Sequence, residues 1–165
     1  MFKVGILTIS DKGSRGERQD KSGEAIREIL SSLDVSIVNY DIIPDEKELI
    51  VEKLVKWVDE DELDVLITTG GTGLTPKDVT PEATLAVVDR IVPGFAEAMR
   101  AESLKKTPMA MLSRAVVGTR GRCLIINLPG STKAVRECLQ VILPVLPHAV
   151  ETLKGQAGEC GTAEA

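Results

Sequence analysis

Three aspartates, Asp11, Asp45 and Asp78, stand in polar stretches that each follow an apolar, β-branched run. Carboxylates supplied by separate loops suit a magnesium ion, which takes one or two of them and completes its shell with substrate phosphates and water. Upstream of Asp78 lies Gly70-Gly71-Thr72-Gly73, a turn free to take positive φ and to bring bare peptide N–H groups against a phosphate. Lys12, Lys77, Lys133 and Arg114 are available to neutralise phosphate charge. Phosphoryl transfer asks for positioning and charge neutralisation more than for a covalent side chain, and this set matches that demand. Each aspartate also has an ordinary structural reading. Asp45, after Pro44, can cap a helix, and Asp11 can close an Asx-turn. Asp78 has the weakest such reading, because Thr80 ahead of Pro81 can cap the helix that follows.

Several chemistries are argued against. The glycine turn is not a Walker A loop: counting from Gly71, the second glycine would fall at Pro76, and for the same reason a full GxGxxG is missing. Ser113 has no nucleophile-elbow glycines, and His148 is the only histidine, so covalent serine catalysis and multi-histidine metal sites are disfavoured. Cys123, Cys138 and Cys160 are widely spaced without a CxxC pair, which speaks against a disulfide framework or a structural zinc. A net charge of −5 and 2% aromatic residues offer no basic track and no stacking platform for nucleic acid. No apolar run is long enough to span a bilayer and no signal-peptide layout opens the chain, so a cytoplasmic protein is expected.

The elements that must position these residues follow from periodicity. Lys3–Ser10, Val35–Ile43 and the run through Val65-Leu66-Ile67 to Thr69 read as strands, the last buried on both faces. A helix capped by Asp20 or Ser22 carries Ile26, Ile29, Leu30 and Leu33 on one stripe, and a second carries Ile50, Leu54, Trp57 and Val58. Between Thr80 and Lys106 the spacing predicts two helices divided by Val92-Pro93-Gly94, with Phe95, Ala98, Met99 and Glu102 on one face of the second. Residues 107–114 read as irregular or short helix. Ala115–Thr119 and Arg122–Leu128 read as strands joined by a hairpin-like turn. Pro129-Gly130-Ser131-Thr132-Lys133 then opens a helix striped by Val135, Cys138, Leu139 and Ile142, which Pro144 and Pro147 kink or stop. The sequence predicts one domain over residues 1–154 and a frayed tail over 155–165. Strands alternating with helices imply a three-layer α/β/α fold with a mostly parallel sheet. In such folds ligands sit beyond the carboxyl ends of the strands, so the loops 11–16, 44–46, 70–78 and 129–133 are expected on one rim.

In order along the chain, ILTISD, IPDE, TTGGTGLTPKDVTPEAT, PGFAEAMR, LSRAVVG and LIINLPGSTKAV resemble the molybdopterin adenylyltransferase family of molybdenum cofactor biosynthesis, over nearly all of Lys3 to Leu153. The resemblance implies the molybdopterin-binding fold and a homotrimer. It also implies Mg²⁺-dependent transfer of AMP from ATP to the terminal phosphate of molybdopterin, with release of pyrophosphate. The molybdenum-insertion protein of the same pathway becomes a candidate partner. Matched by motif, Asp45 and Asp78 fall on the family's essential acidic residues and are expected here to hold or orient the metal. Gly70, Gly71, Thr72 and Gly73 fall where ligand phosphate and nucleotide bind, with Ser10, Asp11, Ser113 and Arg114 lining the site and Pro129, Gly130 and Ser131 forming the other loop. The GGTGLT and PGST forms are also similar to a sister branch of pterin-binding proteins, so a non-catalytic molybdopterin carrier or assembly protein is the alternative. DVTPEAT and the retained Asp45 and Asp78 favour the adenylyltransferase branch.

Overall fold

The structure, a computed structural model, describes residues 1–156. From residue 157 onward, the tail expected to fray lies outside the described residues, as does Cys160. Six strands form one sheet in the order β2-β1-β3-β6-β5-β4, from β1 (Phe2–Ile9), β2 (Val35–Ile43), β3 (Val65–Thr69), β4 (Arg90–Ile91), β5 (Val117–Arg120) and β6 (Cys123–Leu128). The β2-β1-β3-β6 block is parallel, while β5 runs antiparallel to β6 and β4 antiparallel to β5. The chain steps to one side of β1 to make β2 and to the other to make β3, so the order reverses beside β1. That reversal opens a crevice at the strand carboxyl ends.

Alternation along the central strands builds two cores. Val4 and Ile6 of β1, Val65 and Ile67 of β3, and Leu124, Ile126 and Leu128 of β6 face one layer of helices. These helices are α2 (Lys21–Leu30), α5 (Pro93–Leu104), α6 (Thr132–Ile142) and α7 (Leu146–Leu153). Leu7, Leu66 and Ile125 face α3 (Lys47–Asp59) and α4 (Thr80–Val87) on the other side, where Trp57 fills the core as a buried side chain. Helix stripes follow the expected spacing in α2, α3 and α6, whose Ile26, Leu30, Ile50, Leu54, Leu139 and Ile142 are buried. Helix α5 departs from it: Ala96 and Met99 are buried while Ala98 faces out. The chain turns after Leu143, and Pro147 sits in the first turn of α7, where its missing N–H costs no helical bond.

Four local features differ from the periodicity reading. Asp11–Ser14 forms a short helical turn, α1, with the Ser10 hydroxyl accepting from the Gly13 N–H at 3.0 Å. Thr80 is not the cap of α4. That position belongs to Val79, and the Thr80 hydroxyl instead donates to the Gly70 carbonyl at 2.9 Å, which ties the helix to the glycine turn. Likewise Asp45 does not cap α3; Glu46 holds that place without a side-chain bond, and the Asp45 carboxylate is engaged elsewhere. The two-residue β4 went unforeseen, since Arg90–Ile91 pairs only because β5 lies alongside.

Candidate functional site

Along one edge of the sheet the loops after β1, β2, β3 and β6 interlock. The Asp11 N–H donates to Asp45 Oδ2 and the Asp45 N–H donates to Asp11 Oδ1, both at 3.0 Å, so the first two loops exchange carboxylates for peptide groups. Lys77, from the loop after β3, closes on Asp11 Oδ2. The Thr69 hydroxyl donates to the Pro129 carbonyl at 2.7 Å, and the Gly70 N–H donates to the Leu128 carbonyl at 3.2 Å. From the start of α2, the Ser22 hydroxyl donates to the Gly130 carbonyl at 2.8 Å and lies 3.3 Å from Thr132 Oγ1.

The glycines serve this interlocking first. Gly70 (φ 99°) and Gly71 (φ 68°) both occupy the left-handed region, and a Cβ at Gly70 would meet the Ile9 carbonyl while one at Gly71 would meet Thr80 Oγ1. Part of the space expected for a ligand is therefore occupied by the protein's own packing. Even so, both residues line an open cleft of about 670 Å³ at the crevice, together with Ser10, Asp45, Asp78, Gly130 and Ser131. A second cavity of about 310 Å³ lies behind the turn and is walled mainly by apolar groups such as Met99, Met109, Leu112 and Pro129. It takes in Thr72, Gly73 and Ser113, and Ser131 borders both spaces.

Two residues expected to line the site do not line either cavity. Asp11 stands behind Asp45 as its clamp. Arg114 is a strut: its guanidinium donates to the Gly73 carbonyl at 2.7 Å, to the Asp78 carbonyl at 2.7 Å and to Glu82, so it shapes the 73–82 loop. Asp78, whose structural role looked weakest from sequence, has one after all. Its Oδ2 accepts from both the Thr75 N–H and the Thr75 hydroxyl at 2.9 Å. That bond is local, and T-P-K-D after a glycine turn was its available signal. Sequence reasoning also missed Asn127, whose signal is a lone amide within the apolar CLIINL run. Fully buried, it donates to Thr68 Oγ1 at 3.0 Å and Thr84 Oγ1 at 2.9 Å and accepts from the Val116 N–H at 3.1 Å, bracing β3, α4 and the lead into β5.

Electrostatics separate the aspartates. Partial burial pushes the Asp45 carboxyl above its ordinary range, the charges of Asp11 and Asp78 push the same way, and the Asp11 amide opposes them. Asp11 is held below the usual range, mainly by the hydrogen bond from Lys77. The chemistry of the donor set fits a magnesium ion. Asp45 and Asp78 line the same cleft, Asp45 with Oδ2 bonded to the Asp11 N–H of the neighbouring loop and Asp78 with Oδ2 bonded within its own loop, and in each the other oxygen, Oδ1, is without a hydrogen bond among the described residues. No group of three or more acidic, histidine or cysteine side chains among the described residues could hold a metal by itself. Phosphate and water would therefore complete the shell.

Known proteins share both the sequence pattern and the backbone. The family described as "Probable molybdopterin binding domain" matches residues 5–148. The molybdopterin adenylyltransferase of Helicobacter pylori strain J99 is 46% identical over 154 residues, covering 92% of this chain and 88% of that protein. The molybdopterin adenylyltransferase of Escherichia coli K12 is 45% identical over 168 residues, covering 93% and 86%. Among solved structures, the molybdopterin biosynthesis enzyme MoaB of Thermus thermophilus superposes with a TM-score of 0.90 at 55% identity, covering 96% of this chain and all of that one. With the family match over residues 5–148 taking in every loop of the cleft, the chain belongs to the molybdopterin-binding domain family of molybdenum cofactor biosynthesis proteins.

Proposed function

We propose that the protein is a molybdopterin adenylyltransferase, which transfers the adenylyl group of ATP to the terminal phosphate of molybdopterin. The bond that forms joins a molybdopterin phosphate oxygen to the α-phosphorus. The bond that breaks joins the α-phosphorus to the oxygen bridging to the β-phosphate, and its electron pair leaves with pyrophosphate. Support comes chiefly from one observation: Asp45 and Asp78 share a polar cleft with the Gly70-Gly71 turn, and that cleft adjoins an apolar-walled cavity through Ser131. The polar space suits phosphates and the apolar one a flat heterocycle. Asp45 and Asp78 would hold Mg²⁺, which when bound neutralises phosphate charge as the α-phosphorus is attacked. The chain itself contributes a preset frame, in which the Asp11–Asp45 exchange fixes the first carboxylate and the Arg114 strut fixes the loop that carries the second.

Incubation with ATP, Mg²⁺ and molybdopterin should yield adenylylated pterin and pyrophosphate, and EDTA should stop it. Asp78→Asn keeps an oxygen acceptor for Thr75 but removes the charge. Turnover should fall by about 10²-fold or more while molybdopterin still binds. Unchanged turnover would remove Asp78 from the mechanism. The 55% identity to a protein named MoaB favours examining a second reading, a molybdopterin carrier of the sister branch. Pterin bound without any adenylylated product would select it. We further assign the protein to the cytoplasm as a homotrimer that passes its product to the molybdenum-insertion protein. Leu74, Met109 and Met111 leave apolar surface exposed on the segments that Arg114 joins, and sedimentation of the full chain tests the trimer. No helix of the described residues is long and apolar enough to cross a membrane.

A further inference from the structure

The cleft has a second wall that the adenylyl-transfer chemistry at Asp45 and Asp78 leaves unused. It is formed by the segment entering α2 and carries Arg18, Gln19, Asp20 and Lys21. Asp20 is already engaged: its carboxylate accepts from the Thr8 hydroxyl at 2.6 Å, from the Gly23 N–H at 2.9 Å and from the Tyr40 hydroxyl, so its charge is dispersed over three donors. Several neighbouring cations are engaged too. Lys77 closes on Asp11, Arg15 on Glu17 at 2.9 Å, Arg114 on Glu82, and Arg27 stacks over the Tyr40 ring at 4.9 Å. Arg18 and Lys21 are different. Among the described residues they are the two cationic side chains lining the cleft, and neither side chain makes a hydrogen bond or an ion pair.

We infer that Arg18 and Lys21 form a polyphosphate clamp, which grips the β- and γ-phosphates of the nucleotide and then the departing pyrophosphate. The inference rests on the adenylyl-transfer reading for the identity of its ligand. The cleft has polarity along its length: carboxylates that suit a cation stand on the wall built from the loops after β2 and β3, and unpaired cations stand on the wall where the chain enters α2. The Gly70-Gly71 and Gly130-Ser131 backbones lie among them. A ligand matching both walls carries one phosphate for the acidic wall and further phosphates for the basic one, as a triphosphate does. A nucleoside monophosphate would reach only the first. Guanidinium and ammonium groups free of protein partners can turn to a phosphate without first breaking an ion pair, which favours binding. As the bond to the α-phosphorus breaks, charge accumulates on pyrophosphate, and cations already in place stabilise it.

The test uses the full chain with Mg²⁺, inorganic tripolyphosphate as the probe, and the variants Arg18→Ala, Lys21→Ala and their combination. Arg15→Ala, which removes an equal charge already paired with Glu17, serves as the control. Tripolyphosphate affinity, measured by calorimetry, should weaken about tenfold for each clamp cation removed, the loss expected of a charge-assisted contact. The KM for ATP should rise in parallel, while the KM for molybdopterin, the melting temperature and the Arg15→Ala control stay at wild-type values. Unchanged tripolyphosphate affinity in the double variant would overturn the clamp, as would a rise confined to the molybdopterin KM. The two readings fail separately. Tripolyphosphate binding that depends on Arg18 and Lys21, in a protein that makes no adenylylated pterin, would keep the clamp and remove adenylyl transfer. Turnover with an unaltered ATP KM in the double variant would do the reverse.

Discussion

Asp45 is half-buried beside two other carboxylates, and the fold raises its pKa because burial and those neighbours disfavour its charge. A carboxyl whose folded pKa lies above its unfolded value lends stability that is present below the unfolded pKa and is lost as the pH rises through the folded one. Above its raised pKa Asp45 is thus a charge that the fold disfavours. Asp45→Asn keeps an acceptor for the Asp11 N–H and removes the repulsion. Its melting temperature at pH 7 should equal or exceed the wild-type value, with the gap closing as the pH is lowered, while turnover falls by about 10²-fold or more. Thermal scans across pH, paired with the product assay, check both halves; a clear loss of stability at pH 7 would contradict the assignment. Asp11 behaves oppositely. Its depressed pKa, set by Lys77, lends stability above the unfolded value that is lost as the pH falls through the folded one.

Among the elements, the glycine turn after β3 carries the tightest constraints. Gly71→Ala must hold a side chain at φ 68° and push aside Thr80, whose hydroxyl anchors α4 to Gly70. Gly16→Ala faces a similar φ of 73° with nothing within 4 Å of the new methyl, so it isolates the backbone cost. Gly16→Ala should cost about 1 kcal/mol and Gly71→Ala about 2–4 kcal/mol in chemical denaturation, the difference being the displaced contact. Equal costs would mean that Thr80 moves freely. The same turn shows what could be read beforehand. Strand, glycines and following helix were evident in VLITTGG and TPEAT, because a continuous apolar, β-branched run and a proline in the first turn of a helix are local signals. The cross-loop bonds of Thr80, Asp45 and Arg114 were not, because each reaches a partner that only the finished sheet brings near. Short α1 and β4 escaped for a related reason: four residues and two residues hold too little periodicity to announce themselves.

For the molecule as a whole, the parallel block and its order reversal put four loops on one edge, so the expected common rim was readable from the alternation of strands and helices. The partition into two adjoining spaces was not, since it depends on where the Pro108–Leu112 turn and α5 fold back over Gly73. Burial of both structural cysteines gives a global probe. The Cys123 thiol is pushed up to about 12 by desolvation, and Cys138 is raised by the same cause. In a Cys160→Ser background, alkylation at pH 8 should be slow in the native protein and rise steeply across the denaturant transition. Fast labelling below the transition would reveal local opening of α6 or β6.

The mutual bonding of Asp11 and Asp45 has a consequence of its own. Two segments separated by thirty-odd residues of sequence are fastened together using only groups that belong to the chain, so the mouth of the crevice is already assembled when the first guest arrives. Entry then demands little loss of loop freedom, and most of the gain from contact is kept as affinity.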